Sequence, residues 1–241
     1  MYKKLFLYFI ILLSIYIIYF CYNRNTIYQY RNVYYKNEKI YLINNFLSNK
    51  NFTIIKNLLI LNNNYITKSN NFLRKGSAIS HNKMKNTKYY QIFQILSNQI
   101  TTYKIYKYTN LNLKFVPLED NNHLSIVYYI NSGDNIKWHN DGNIYYGERW
   151  AGILTIINTN NNGNYSSAKF HYKRNNNEYY LDTPENSLLL FRGDIIKHKV
   201  APLKKNEQRI VISMLFCDIC YPKTDIFNSI YQTLVDKTFY G

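Results

Sequence analysis

From residue 118 to residue 220 the chain is written as short β-rich runs broken by Gly, Asn and Asp turns, and this cadence constrains the fold more than any other feature. Runs at 124–129, 136–141, 151–157, 168–172, 178–181, 187–191, 195–200 and 209–216 read as strands. Polar clusters such as 131–135 and 158–164 turn the chain between them. About eight strands at such even spacing suggest a sandwich or jelly roll rather than a parallel sheet. The composition agrees, with 17% aromatic residues and 27 Tyr, which favour strands. Ahead of this region, 39–43 reads as a strand. Ser48 can cap a helix running to about residue 62, and an amphipathic helix fits 87–104. Ile226, Phe227, Ile230, Leu234 and Val235 mark one face of a helix in the tail. The fold class expected is mainly β with flanking helices, a double-stranded β-helix or jelly roll.

The N-terminus is different. Lys3 and Lys4 precede a run without a charge from 5 to 22. As a helix, eighteen such residues rise about 27 Å, nearly a bilayer core. A cleaved signal segment is the alternative, but the bulky Phe20-Cys21-Tyr22 lacks the small residues of a cleavage site. An N-terminal transmembrane helix over 1–22 is therefore expected, then a linker over 23–38 and one domain over 39–241. The flanking lysines favour a single-pass arrangement with the domain lumenal or extracytoplasmic.

Within the β-rich region lies Trp138-His139-Asn140-Asp141-Gly142. On a strand, residues two apart share a face, so His139 and Asp141 point the same way. His198 lies on a later predicted strand. Two imidazoles and one carboxylate make a facial triad, a set that holds non-haem Fe(II) and leaves positions open for oxygen and a co-substrate. Arg209 opens the following strand and returns close to His198. Its planar guanidinium can take a carboxylate by a two-pronged contact. Each residue also has a plainer reading. The histidines can be hydrogen-bonded strand residues, Asp141-Gly142 a turn, Arg209 an exposed ion-pair member, and His81 and His171 ordinary surface or strand residues.

This set, in this order, resembles the iron- and 2-oxoglutarate-dependent dioxygenases, nearest the prolyl 4-hydroxylase type. Residues 40–48 resemble the opening strand and helix entry of that family, and His198-Lys199-Val200-Ala201-Pro202 resembles its distal histidine segment. The likeness covers about 39–220. It implies that His139, Asp141 and His198 are the catalytic iron ligands. It also implies that Arg209, Tyr129 and Thr155 contact 2-oxoglutarate, Thr155 standing where many relatives carry a tyrosine. The cofactors implied are Fe(II), 2-oxoglutarate and dioxygen, with ascorbate as an accessory. The reaction implied is peptidyl hydroxylation, most naturally of proline in a proline-rich or collagen-like polypeptide. The stretch 163–167 departs from the substrate loop of prolyl hydroxylases.

Two other functions compete. The segment 132–141 also resembles the nucleic-acid demethylating branch, and a net charge of +16 suits a polyanion. That branch adds a second arginine where this chain has Leu215. The basic residues are scattered, without the clustering a nucleic-acid footprint shows. Enrichment of Lys, Asn, Tyr and Ile together explains the charge as compositional drift. The other competitor is a binding module without catalysis, against which the complete ligand set argues. Cys217 and Cys220 form a lone CxxC with no second pair, which excludes a zinc ribbon and leaves incidental thiols or a local disulfide.

Overall fold

The structure is a computed structural model that describes residues 6, 8–19, 40–60, 67–68, 73–223, 230 and 233–234. The chain divides into two compact units, Met1–Glu38 and Lys39–Gly241. In the first, residues 8–19 are helical with exposed side chains. Among the described residues no helix is long and apolar enough to cross a membrane. The transmembrane helix expected over 1–22 is thus not found, and the ends of that span, the linker over 23–38 and most of the tail helix lie outside the described residues.

The second unit is mainly β. Its strands, in chain order, are β1 (Ile40–Ile43), β2 (Thr67–Lys68), β3 (Arg74–Lys75), β4 (Ser77–Ser80), β5 (Lys114–Phe115), β6 (Leu124–Tyr129), β7 (Asn135–His139), β8 (Arg149–Thr159), β9 (Phe170–Arg174), β10 (Asn177–Leu181), β11 (Ser187–Phe191), β12 (His198–Val200) and β13 (Gln208–Cys217). They form an eight-stranded sheet, β1-β11-β8-β13-β6-β4-β2 with β5 on β13, and a five-stranded sheet, β10-β9-β12-β7-β3. Neighbours pair antiparallel throughout, as a jelly roll requires. Four strands that the sequence did not suggest, β2 to β5, lie in polar or Pro-flanked sequence with too few residues to show a period.

The central strands of the larger sheet, β6, β8, β11 and β13, are buried on both faces, which is why they read as near-continuous apolar runs. Period-two alternation divides the labour. On β13, Ile210, Ile212, Met214 and Phe216 join a core with helix residues Ile55, Leu59, Ile92 and Ile105. Arg209, Val211, Ser213 and Leu215 line a cavity on the opposite side. On β6, Leu124, Ile126 and Tyr128 enter the helix-side core, whereas Ser125, Val127 and Tyr129 line the cavity. Packing between the sheets is completed by Val127, Val211, Val200, Leu189, Leu215 and Phe170. Each such fully buried side chain contributes about 1.5–3 kcal/mol.

The helices that cover the outer face are α1 (Asn49–Ile60), α2 (His81–Met84), α3 (Tyr90–Leu96) and α4 (Gln99–Thr109). Ser48 Oγ accepts from Asn51 N at 3.3 Å at the start of α1, as the sequence suggested. The single helix expected over 87–104 is two. Asn98 is extended, and its Oδ1 accepts from Ile100 N at 3.0 Å and Thr101 N at 3.2 Å. This cap satisfies donors that a helix start leaves open, so a new helix begins where apolar periodicity alone runs straight through.

Candidate metal centre and active site

His139 ends β7 and His198 begins β12, and the two residues face each other across the antiparallel pair. Their ring centroids are 4.1 Å apart. Asp141 joins them by another route than the sequence predicted. β7 stops at His139, so the pleat does not carry the carboxylate. Instead the Asp141 N–H donates to Gly193 O at 2.8 Å, which folds the loop back beside the rings. His139 Nε2 lies 3.5 Å and His198 Nε2 3.8 Å from Asp141 Oδ1. Candidate ligand atoms of the three residues all lie within 4.8 Å of one another, a cluster that can hold a metal ion.

The outer ring nitrogens prepare this geometry. His139 Nδ1 is 2.8 Å from Lys137 O, and His198 Nδ1 is 2.9 Å from Ile196 O. A carbonyl only accepts, so each Nδ1 carries the proton, and each neutral ring keeps its lone pair on Nε2. Burial pushes the His198 imidazolium down to about 4, against the pull of Asp141. Burial would likewise lower His139, but its hydrogen bond and attraction to Asp141 outweigh this and raise it. For Asp141, burial favours the acid form. The Arg149 guanidinium and both imidazoles prevail and hold the carboxyl well below the usual carboxylate range.

Arg149, which the sequence reading passed over, is the clamp of this site. It opens β8 on the opposite sheet, and its Nη1 lies 2.9 Å from Asp141 Oδ2. Glu148 beside it binds Arg192 at 3.1 Å and accepts from Trp150 Nε1 at 2.8 Å. Arg192 in turn donates from Nε and Nη2 to Asp194 at 2.9 and 3.0 Å. The two arginines therefore fix the loop 192–194 and the carboxylate that rests on it. Gly193 admits no substitute easily, since a Cβ there would stand 2.0 Å from Asp141 Oδ2. The signal was present in Gly147-Glu148-Arg149-Trp150 and Arg192-Gly193-Asp194, charges flanking apolar strands, but spacing alone does not pair them.

The cavity beside the triad has a volume of about 170 Å³. Arg209 closes one part of it, 1% exposed. Its guanidinium lies 5.7 Å from the centre of the Tyr129 ring, across the β13–β6 pair. Nη2 reaches Thr183 Oγ1 at only 3.5 Å, and Nε has no partner. No ion pair reaches Arg209 among the described residues. A buried cation in this state is costly unless an anion joins it. Thr155 is also fully buried with a hydroxyl lacking a partner, but it lies beyond Ile153 on β8 and is not part of the cavity wall. Leu215 does line the cavity.

Remaining sequence candidates fall elsewhere. Cys217 and Cys220 are joined in a local disulfide. His81 is buried rather than superficial, with Nε2 2.9 Å from Leu118 O. His171 pairs with Glu178 at 2.8 Å on the outer face of the smaller sheet. Neither reaches the triad.

No protein-family model and no curated protein sequence matches this chain. Solved structures do. A prolyl 4-hydroxylase from Pseudomonas putida superposes with a TM-score of 0.54 at 10% identity, covering 75% of this chain and 93% of that one. A prolyl hydroxylase from Trichoplax adhaerens, in complex with a peptide fragment of the hypoxia inducible factor oxygen degradation domain, gives 0.55 at 16% identity, with 75% and 84% covered. The non-haem α-ketoglutarate-dependent epimerase SnoN from nogalamycin biosynthesis gives 0.58 at 8% identity, with 80% and 83% covered. At such identities the likeness establishes the fold, the jelly roll of these oxygenases.

Proposed function

We propose that this chain is an Fe(II)- and 2-oxoglutarate-dependent dioxygenase that hydroxylates a peptidyl residue, proline first. One observation carries the reading. A single cavity holds both a His-Asp-His cluster and a buried guanidinium with an unsatisfied Nε. The donor set fits a divalent iron, and the orphaned Arg209 fits the far carboxylate of a dicarboxylic oxoacid. That two of the similar structures are prolyl hydroxylases, one holding a peptide, supports a polypeptide substrate.

The residues divide the work. His139, Asp141 and His198 would hold Fe(II) from one side. The carbonyls of Lys137 and Ile196 fix both imidazoles, and Arg149 keeps Asp141 ionised and still. Arg209 takes the acid end of 2-oxoglutarate. Tyr129, whose phenol is raised by burial against the pull of Arg209, stays neutral beside it. Thr155, whose hydroxyl was expected to contact 2-oxoglutarate, lies outside the cavity lining. Phe170, Phe191 and Ile153 wall the cavity with apolar surface and exclude water. When bound, iron and 2-oxoglutarate supply the oxidant: dioxygen places one atom in succinate, with loss of CO2, and the other in a substrate C–H bond. Ascorbate would serve as an accessory reductant. The charge-free N-terminal run would anchor the protein in a membrane with the domain lumenal or extracytoplasmic, and resistance to alkaline extraction tests this.

A second reading is oxidative demethylation of nucleic acid. It is favoured by Trp138, which has Lys199 Nζ 4.5 Å and Lys173 Nζ 5.2 Å from its ring, an aromatic set among cations. The test is succinate release by the full chain with Fe(II) and 2-oxoglutarate, with product mass read on a proline-rich peptide and on methylated single-stranded DNA. A gain of one oxygen on proline supports the first reading, and loss of methyl from DNA supports the second. Failure to bind either metal or 2-oxoglutarate ends both.

A further inference from the structure

The polar stretch Arg74-Lys75-Gly76 borders the active-site cavity through Arg74. Arg74 lies on β3, paired with Ile136 of β7, only 3% exposed, and it lines the same cavity as Arg209 and Tyr129. Gly76 explains how the chain comes so near. Its φ of +145° suits glycine, and a Cβ there would meet Tyr128 O at 2.9 Å and the Tyr129 ring at 3.7 Å. The backbone two residues after Arg74 is therefore laid against Tyr129, whose ring is 5.7 Å from the Arg209 guanidinium.

From this juxtaposition we infer that Arg74 is a second cationic contact for the far carboxylate of the co-substrate, gripping it from the smaller sheet while Arg209 grips it from the larger. The inference rests on the oxoacid reading of the cavity. The charges around Tyr129 agree with it. Burial is the main influence on that phenol, and the groups that act on it by charge are Arg209, Arg74 and, with opposite sign, Asp134. Asp134 Oδ2 is engaged by the N–H groups of Ile130 and Asn131, each at 2.9 Å. Two planar donors on opposite sheets also set the length of acid the cavity accepts, because each must reach the same two oxygens.

The test separates charge recognition from mere structure. Full-length protein loaded with Mn(II) in the absence of oxygen is titrated calorimetrically with 2-oxoglutarate and with 2-oxopentanoate, which has the same chain and keto acid but no far carboxylate. Arg74→Gln should weaken 2-oxoglutarate by about 10- to 100-fold, the scale of a charged hydrogen bond, and leave 2-oxopentanoate within about twofold. Arg74→Lys should recover part of the loss, and it serves as the working variant if Arg74→Gln does not fold. Unchanged 2-oxoglutarate binding, or an equal loss for both ligands, overturns the inference. A wild-type protein that binds neither ligand overturns the oxoacid reading itself, a distinct result seen before any variant is made.

Discussion

The two faces of the larger sheet use the same strands for opposite purposes. Toward the helices, β6 and β13 present Leu124, Ile126, Tyr128, Ile210, Ile212 and Met214, a surface almost without hydrogen-bonding demand. Toward the smaller sheet, the alternate residues are Ser125, Tyr129, Arg209 and Ser213 among valines. One face gains stability from burial. The other spends some of it, keeping a guanidinium in a dry wall where water would otherwise solvate it. The contrast teaches that the site is built from positions a folding chain would fill with Val or Ile, so polar residues there are kept for what they bind.

The contrast can be broken most sharply at the metal ligands. His139→Ala should abolish metal-dependent succinate release with the thermal midpoint close to wild type, whereas Asp141→Ala should abolish it and lower the midpoint, because the Arg149 guanidinium loses its partner. Equal loss of stability and activity in His139→Ala would show that both faces serve the core. On the helix face the reverse holds. Ile212→Ala should cost about 2–5 kcal/mol in denaturant unfolding, with metal affinity retained at temperatures where the protein is folded. Between these extremes lies the clamp. Arg149→Gln should weaken metal binding by about 10- to 100-fold, as loss of a ligand's supporting partner does. Gly193→Ala should act in the same direction through displacement of Asp141, with a smaller change in unfolding free energy than Ile212→Ala.

The smallest effect belongs to His123, a neutral imidazole behind the helix-side core. Its Nδ1 is 2.6 Å from Val116 O and its Nε2 2.6 Å from Ser97 Oγ, and it stacks on Phe115 at 4.8 Å. Burial, the largest influence, lowers its pKa below the ordinary histidine value. The Val116 hydrogen bond and Asp120 resist this, and His81 adds to it. The unfolded chain thus binds the proton more readily than the folded one. Stability should be complete above the unfolded value near 6.5 and decline as pH falls through the lowered folded value. His123→Asn should flatten that acid limb of an unfolding profile, and an unchanged slope would exclude His123 as its source.

How much of this was legible depended on whether the information was local. In the larger sheet β1, β6, β8, β11 and β13 announced themselves through apolar runs, and His139, Asp141, His198 and Arg209 through order and spacing. Asp141 shows the limit of that success. Its placement was expected from the strand pleat but is achieved by a backbone bond to Gly193, a contact no periodicity encodes. Arg149 and Arg74 were passed over because what makes them part of the site, Asp141 for the first and the cavity shared with Arg209 for the second, is brought near only by pairing between distant strands. Thr155 came from the family resemblance alone, and it stands two residues past Ile153 on β8, outside the cavity lining. The split between α3 and α4 was hidden in Ser97-Asn98, where a capping side chain overrides a continuous apolar stripe.

In the proposed mechanism metal and oxoacid share one cavity. The most direct measurement is calorimetric titration of 2-oxoglutarate into the full-length chain, with and without Mn(II), in wild type, His139→Ala and Arg209→Ala. One site per chain is predicted that requires the metal, is lost in His139→Ala and is weakened severely in Arg209→Ala. Binding that persists in both variants, or that ignores the metal, would contradict it.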